Sequence, residues 1–168
     1  MSLRNGTMVM LLALAIWPAL VRAEHAKITL DVSTDREKVT AHVDQTPPDW
    51  GKNPRPVLKA RAGETIRVQS VFTNVYPHKT LENVVVHLYI ARQEKVGQHE
   101  LPDLSGDVVS ETAFEIDLKP GAKAGQRSTL RIDKPGVYLV RIESRNTGSD
   151  HEHFAAIDLV VSAKDGEK

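Results

Sequence analysis

From Ala26 onward, apolar side chains recur at every second position in short runs. Ile28, Leu30 and Val32 alternate with Thr29, Asp31 and Ser33, and Ile66, Val68, Ser70 and Phe72 alternate with Arg67, Gln69 and Val71. The same period returns at Val84, Val86, Leu88 and Ile90, with His87 and Tyr89 on the other face, and at Phe114, Ile116 and Leu118. It continues at Leu130 and Ile132, at Tyr138, Val140 and Ile142, and at Ala155, Ile157, Leu159 and Val161. Period two with no sustained period of 3.6 predicts strands with one buried face each. About seven short strands punctuated by Pro and Gly turns predict an all-β, antiparallel two-sheet sandwich.

Two polar segments break the rhythm. The stretch 34–56 carries Pro47, Pro48, Gly51, Pro54 and Pro56 and reads as a Pro-rich insertion holding one weak strand, Val39 to Val43. The stretch from Gln93 to Asp107, with Pro102 and Gly106, reads as a second surface excursion. Neither has the apolar content to build a core of its own.

The N-terminus changes the picture. Arg4 precedes an apolar run from Met8 to Ile16, then come the breaker Pro18 and Val21-Arg22-Ala23. That order is the signature of a secretory signal peptide covering 1–23, which leaves 24–168 as one domain. The run is too short, and too soon broken, to cross roughly 30 Å of hydrocarbon, so no membrane insertion is expected after cleavage. A periplasmic or extracellular location follows.

Charge and composition narrow the chemistry. Removing Arg4 and Arg22 from the 22 basic residues leaves 20 against 22 acids, a balance that offers nucleic acid no long-range attraction. Without cysteine there is no disulfide, no thiolate ligand and no thiol nucleophile, so the fold rests on its core.

Asp133-Lys134-Pro135-Gly136-Val137-Tyr138-Leu139-Val140 resembles the turn and following strand of immunoglobulin-like and fibronectin type III-like modules. Arg61 to Asn74, "RAGETIRVQSVFTN", is similar to a turn and strand of bacterial extracellular modules of that kind. The resemblance covers most of 57–162. It implies an immunoglobulin-like sandwich in which Tyr138 buries its ring and returns its hydroxyl to the backbone, the tyrosine corner. It implies no activity, because function resides in sites and not in folds.

In such a connection, alternating strand direction assigns each loop to one pole. His25, Tyr76, His78, Asp150, His151, Glu152 and His153 are thereby expected at a common end, with His42 and His99 at the other. Tyr76, His78 and 150–153 are the expected ligand-binding residues of an exported, non-catalytic recognition module for an unknown protein or small ligand. No cofactor is required by that reading. The alternative is a periplasmic metal protein: His151 and His153 lie two apart on one strand face, about 7 Å from each other, and His78 and His25 are the further ligands. Imidazoles without thiolates suit Cu or Zn. In the simpler account, His151 and His153 continue the inward parity of the last strand and cap the edge of the core.

Other chemistry is poorly served. Ser149-Asp150-His151 has the residue types of a hydrolytic triad, but neighbours on an extended segment point in alternate directions. Asp103 and Asp107 lack the ladder of acids that calcium needs and read as a solvated turn. Trp50 is expected to fold over a sheet edge, and Thr65, Arg67 and Gln69 read as a solvated sheet face.

Overall fold

A computed structural model describes residues 26–42, 55–145, 147 and 153–164. Those residues contain nine strands: β1 (Ala26–Ser33), β2 (Lys38–His42), β3 (Val57–Arg61), β4 (Thr65–Asn74), β5 (Leu81–Gln93), β6 (Val108–Leu118), β7 (Lys123–Arg131), β8 (Gly136–Arg145) and β9 (His153–Ser162). They form two sheets, one of four strands in the order β2-β1-β4-β7 and one of five in the order β3-β9-β8-β5-β6. The chain crosses between sheets from β4 to β5 and recrosses from β6 to β7, so that β7 returns beside β4. Among the described residues no helix is long and apolar enough to cross a membrane.

The core lies between the sheets and is made by the predicted alternation. Ile28, Leu30, Val32, Ile66, Val68 and Phe72 face Val84, Val86, Leu88, Ile90, Val140, Ile142, Ile157 and Leu159, all buried. Each large aliphatic side chain so enclosed contributes about 1.5–3 kcal/mol. Phe114, Ile116 and Leu130 have the predicted inward parity but are only partly buried, since they sit on β6 and β7 at the sheet margins.

Three expectations are corrected. The described residues form nine strands in place of about seven, because the weak strand in the Pro-rich stretch forms as β2 and a further short strand, β3, precedes β4. The sandwich is not wholly antiparallel: β3 runs parallel to β9, with Val57 opposite Asp158 and Ala60 opposite Val161. Five residues at a sheet edge supply too few alternations to announce a strand, and the partner lies about a hundred residues downstream. Finally, Tyr89, on the outward face of β5, is buried with Ala91, Leu139 and Ala156 in a second apolar cluster outside the main core.

The turn into β8 has the geometry implied by the family resemblance. Tyr138 is buried and its hydroxyl donates to the Lys134 carbonyl at 2.7 Å. The turn before β4 needs Gly63, whose φ of 76° lies in the left-handed region that side-chain-bearing residues rarely adopt.

Candidate functional site: the outer face of the four-stranded sheet

Register places the outward side chains of β2, β1, β4 and β7 in transverse rows. One row is Lys38, Ser33, Arg67 and Thr129; the next is Thr40, Asp31, Gln69 and Arg127. Beyond these come His42, Thr29, Val71 and Gly125, then Lys27, Thr73 and Lys123. Successive rows are about 7 Å apart, and strands within a row about 4.8 Å.

This face is hollowed. One depression of about 320 Å³ is lined by residues that include Asp31, Lys38, Arg67, Gln69, Arg127 and Thr129. A second, about 330 Å³, is lined by residues that include Gln69, Val71, Lys123, Gly125 and Arg127. Both are lined by Gln69 and Arg127, so they adjoin along β4 and β7, and together they are termed the trough. Glycine at 125 suits the close strand approach there, since a Cβ at this position would stand 3.1 Å from the Ser70 carbonyl oxygen.

The electrostatics are one-sided. Outward positions of these four strands hold six cations, Lys27, Lys38, Arg67, Lys123, Arg127 and Arg131, against the single acid Asp31. Burial favours protonation of Asp31, but hydrogen bonds from Lys38 and Thr40 outweigh it and hold the carboxyl below its ordinary value. Asp31 is therefore ionised and pairs with Lys38 at 2.8 Å, while Arg67 pairs with Asp35 at 2.7 Å. Among the described residues Lys123, Arg127 and Arg131 make no ion pair. A sequence whose basic and acidic residues balance overall thus carries a local positive field.

The outer face of the other sheet is polar in a different way. His87 lies between two carboxylates, its Nε2 2.8 Å from Glu111 and its Nδ1 3.4 Å from Glu143. Glu143 accepts from Arg141 Nε at 2.9 Å, and the Arg141 guanidinium lies 4.0 Å over the Phe154 ring. These groups satisfy one another and tie β5, β6, β8 and β9 together. Burial alone would raise the Glu143 carboxyl, but the hydrogen bond and charge of Arg141, then those of His87, hold it below the ordinary glutamate value. A carboxyl depressed on folding stabilises fully above its unfolded pKa of about 4.3, and the contribution is lost as pH falls through the lower folded value. Glu143→Gln is accordingly expected to lower stability at neutral pH and to flatten its decline below about pH 4. Urea unfolding of both proteins between neutral pH and pH 3 checks this; parallel profiles would remove Glu143 from the acid transition.

The predicted histidine pole divides. Ala26 opposes Asn74, Leu81 opposes Leu118 and Ser144 opposes His153, so the starts of β1, β5 and β9 and the β6–β7 turn do share one end. Asn74 organises it, donating to the Lys79 and Leu118 carbonyls and accepting from the Tyr76 amide. Within that end, His78 is exposed and Tyr76 half-buried, whereas His153 is 0% exposed. His153 thus continues the inward parity of β9, as the simpler account has it. His25, Asp150, His151 and Glu152 lie outside the described residues, as does Trp50. Among the described residues no three His, Asp or Glu side chains are grouped to hold a metal ion. Asp103 accepts from the Ser105 amide at 2.8 Å, the turn expected of it.

Thr65, Arg67 and Gln69 on their own have the pattern of any solvated sheet face, so the sequence does not announce the trough. The available signal was the spacing of Lys123, Arg127 and Arg131, one cation every fourth residue on one strand face.

No protein-family model matches the chain, and no curated protein does. Among solved structures, the C-terminal domain of wzt is 16% identical, covers 84% of this chain and 76% of its own, and has a TM-score of 0.45. The PmoD soluble domain from Methylocystis sp. ATCC 49242 (Rockwell) is 15% identical over 80% of this chain and 90% of its own, with a TM-score of 0.43. A chitin binding domain from Burkholderia pseudomallei is 12% identical over 69% of this chain and 61% of its own, with a TM-score of 0.41.

Proposed function

We propose that this protein is an exported recognition module that holds an extended polar ligand in the trough of its four-stranded sheet and performs no chemistry on it. Export rests on the signal-peptide pattern of residues 1–23. The observation that carries the binding role is that two adjoining hollows share Gln69 and Arg127 on one sheet face. A trough walled by amide, hydroxyl and guanidinium groups gives a ligand several directed hydrogen bonds without reorganising the backbone. The sheet that presents them is held by a packed core, so little ordering opposes association.

The test is a glycan and peptide array probed with residues 24–168, followed by amide chemical-shift mapping of the best ligand. Shifts are expected on β4 and β7, centred on Gln69 and Arg127. Gln69→Leu, which removes the shared polar wall, is expected to weaken binding about three- to tenfold. Shifts confined to the pole around Tyr76 and His78 would transfer recognition to that end and end the trough reading.

A further inference from the structure

The geometry points to a linear acidic polysaccharide as the ligand class of the trough, an inference that rests on the binding role just proposed. Lys123, Arg127 and Arg131 recur every fourth residue along one face of β7, about 13 Å apart on an extended strand. Arg67, opposite Thr129, falls between Arg127 and Arg131 on the neighbouring strand and halves that interval. The result is a cation line along the trough, not a point cluster, and a line matches charge repeated along a chain. The three β7 cations make no ion pair among the described residues; Lys123 and Arg127 line the hollows, and Arg131, opposite Thr65, continues the line two residues beyond Thr129.

The groups between the cations choose among polyanions. Thr129, Gln69 and Thr73 are donors and acceptors suited to ring hydroxyls, and Gly125 presents no side chain over the backbone there. No Phe, Tyr or Trp stands on the outward positions of these four strands, so a nucleic acid would find no stacking platform there. An anionic bilayer is equally ill matched. The face offers no large apolar side chain to insert besides Val71, and its hollow is concave where a membrane is flat.

Binding of polygalacturonate and alginate to residues 24–168 is measured by isothermal titration at two salt concentrations, against neutral dextran, single-stranded DNA and vesicles containing phosphatidylglycerol. The acidic glycans are expected to bind, and to weaken as salt rises. The double change Arg67→Gln, Arg127→Gln is expected to weaken them about tenfold or more, while Lys59→Gln with Lys95→Gln, on other surfaces, leaves them unchanged. All four positions are exposed, so folding is retained and is verified by circular dichroism. Preference for DNA or vesicles, or equal losses from the two double changes, would overturn the proposal. If dextran or another neutral chain binds instead and still depends on Gln69, the trough stands and its acidic specificity falls; if no ligand responds to Gln69 or Arg127, both fall together.

Discussion

Asp158→Ala is expected to lower the unfolding free energy by about 3–5 kcal/mol, the scale of breaking a buried charge pair from one side. Asp158 is 0% exposed, in the middle of β9, and faces away from the main core. Its Oδ1 lies 3.0 Å from Arg55 Nε and accepts from Gln93 Nε2 at 2.8 Å, and its Oδ2 accepts from the Gly97 amide at 2.7 Å. One carboxylate thus pins the segment leading into β3, the end of β5 and the following loop onto β9. Burial pulls the Arg55 guanidinium below its usual pKa and Asp158 opposes that shift, so removing the carboxylate leaves a buried cation and two unmet donors. Asp158→Asn restores the acceptor and not the charge, and is expected to fall between. In a double-mutant cycle, Asp158→Leu with Arg55→Met is expected to recover part of the loss: neither charge then remains to be solvated, while Gln93 Nε2 and the Gly97 amide stay without their acceptor. Urea unfolding followed by circular dichroism measures each of these proteins against the wild type. A loss below about 1 kcal/mol for Asp158→Ala would mean that water reaches the site and that the loop is not held by it.

This network also shows where the sequence stops being readable. Alternation is a local signal, so the inward sets of β1, β4, β5, β8 and β9 could be written down from the chain alone. Parity says which side chains face outward, and the usual inference is that outward means wet. On the five-stranded sheet that inference fails, because Tyr89, Leu139, Arg141, Glu143 and Asp158 are outward by parity and buried in fact. What covers an outer face is decided by connections such as Gln93 to Asp107, whose path depends on partners distant in sequence, Asp158 for Gly97 among them. The trough is non-local in the same way. Lys123, Arg127 and Arg131 could be read as a spaced row, but that Arg67 falls between two of them is a matter of β4–β7 register. That the starts of β1, β5 and β9 share an end was legible because strand direction alternates; direction alone did not distinguish an exposed His78 from an enclosed His153.

Tyr138 offers the second large effect, and one that separates burial from hydrogen bonding. Its ring is 2% exposed within the main core, and its hydroxyl reaches the Lys134 carbonyl at 2.7 Å across the turn that precedes β8. Tyr138→Ala leaves a cavity of ring size between the sheets and is expected to lower stability by about 3–5 kcal/mol. Tyr138→Phe keeps the ring and deletes the donor, leaving the carbonyl to find water, and is expected to lose about 0.5–2 kcal/mol. The two changes differ in what they do to the turn. Loss of the hydroxyl frees residues 133–136 from strand β8 while the core stays packed, so Tyr138→Phe is expected to quicken amide exchange in that turn more than in β5 or β9. Tyr138→Ala acts on the core and is expected to quicken exchange throughout β5, β8 and β9 alike. Hydrogen exchange resolved by residue distinguishes them. If Tyr138→Phe is neutral and its turn exchanges no faster, the corner hydrogen bond is a by-product of ring burial and the turn is set by Pro135 and Gly136 themselves.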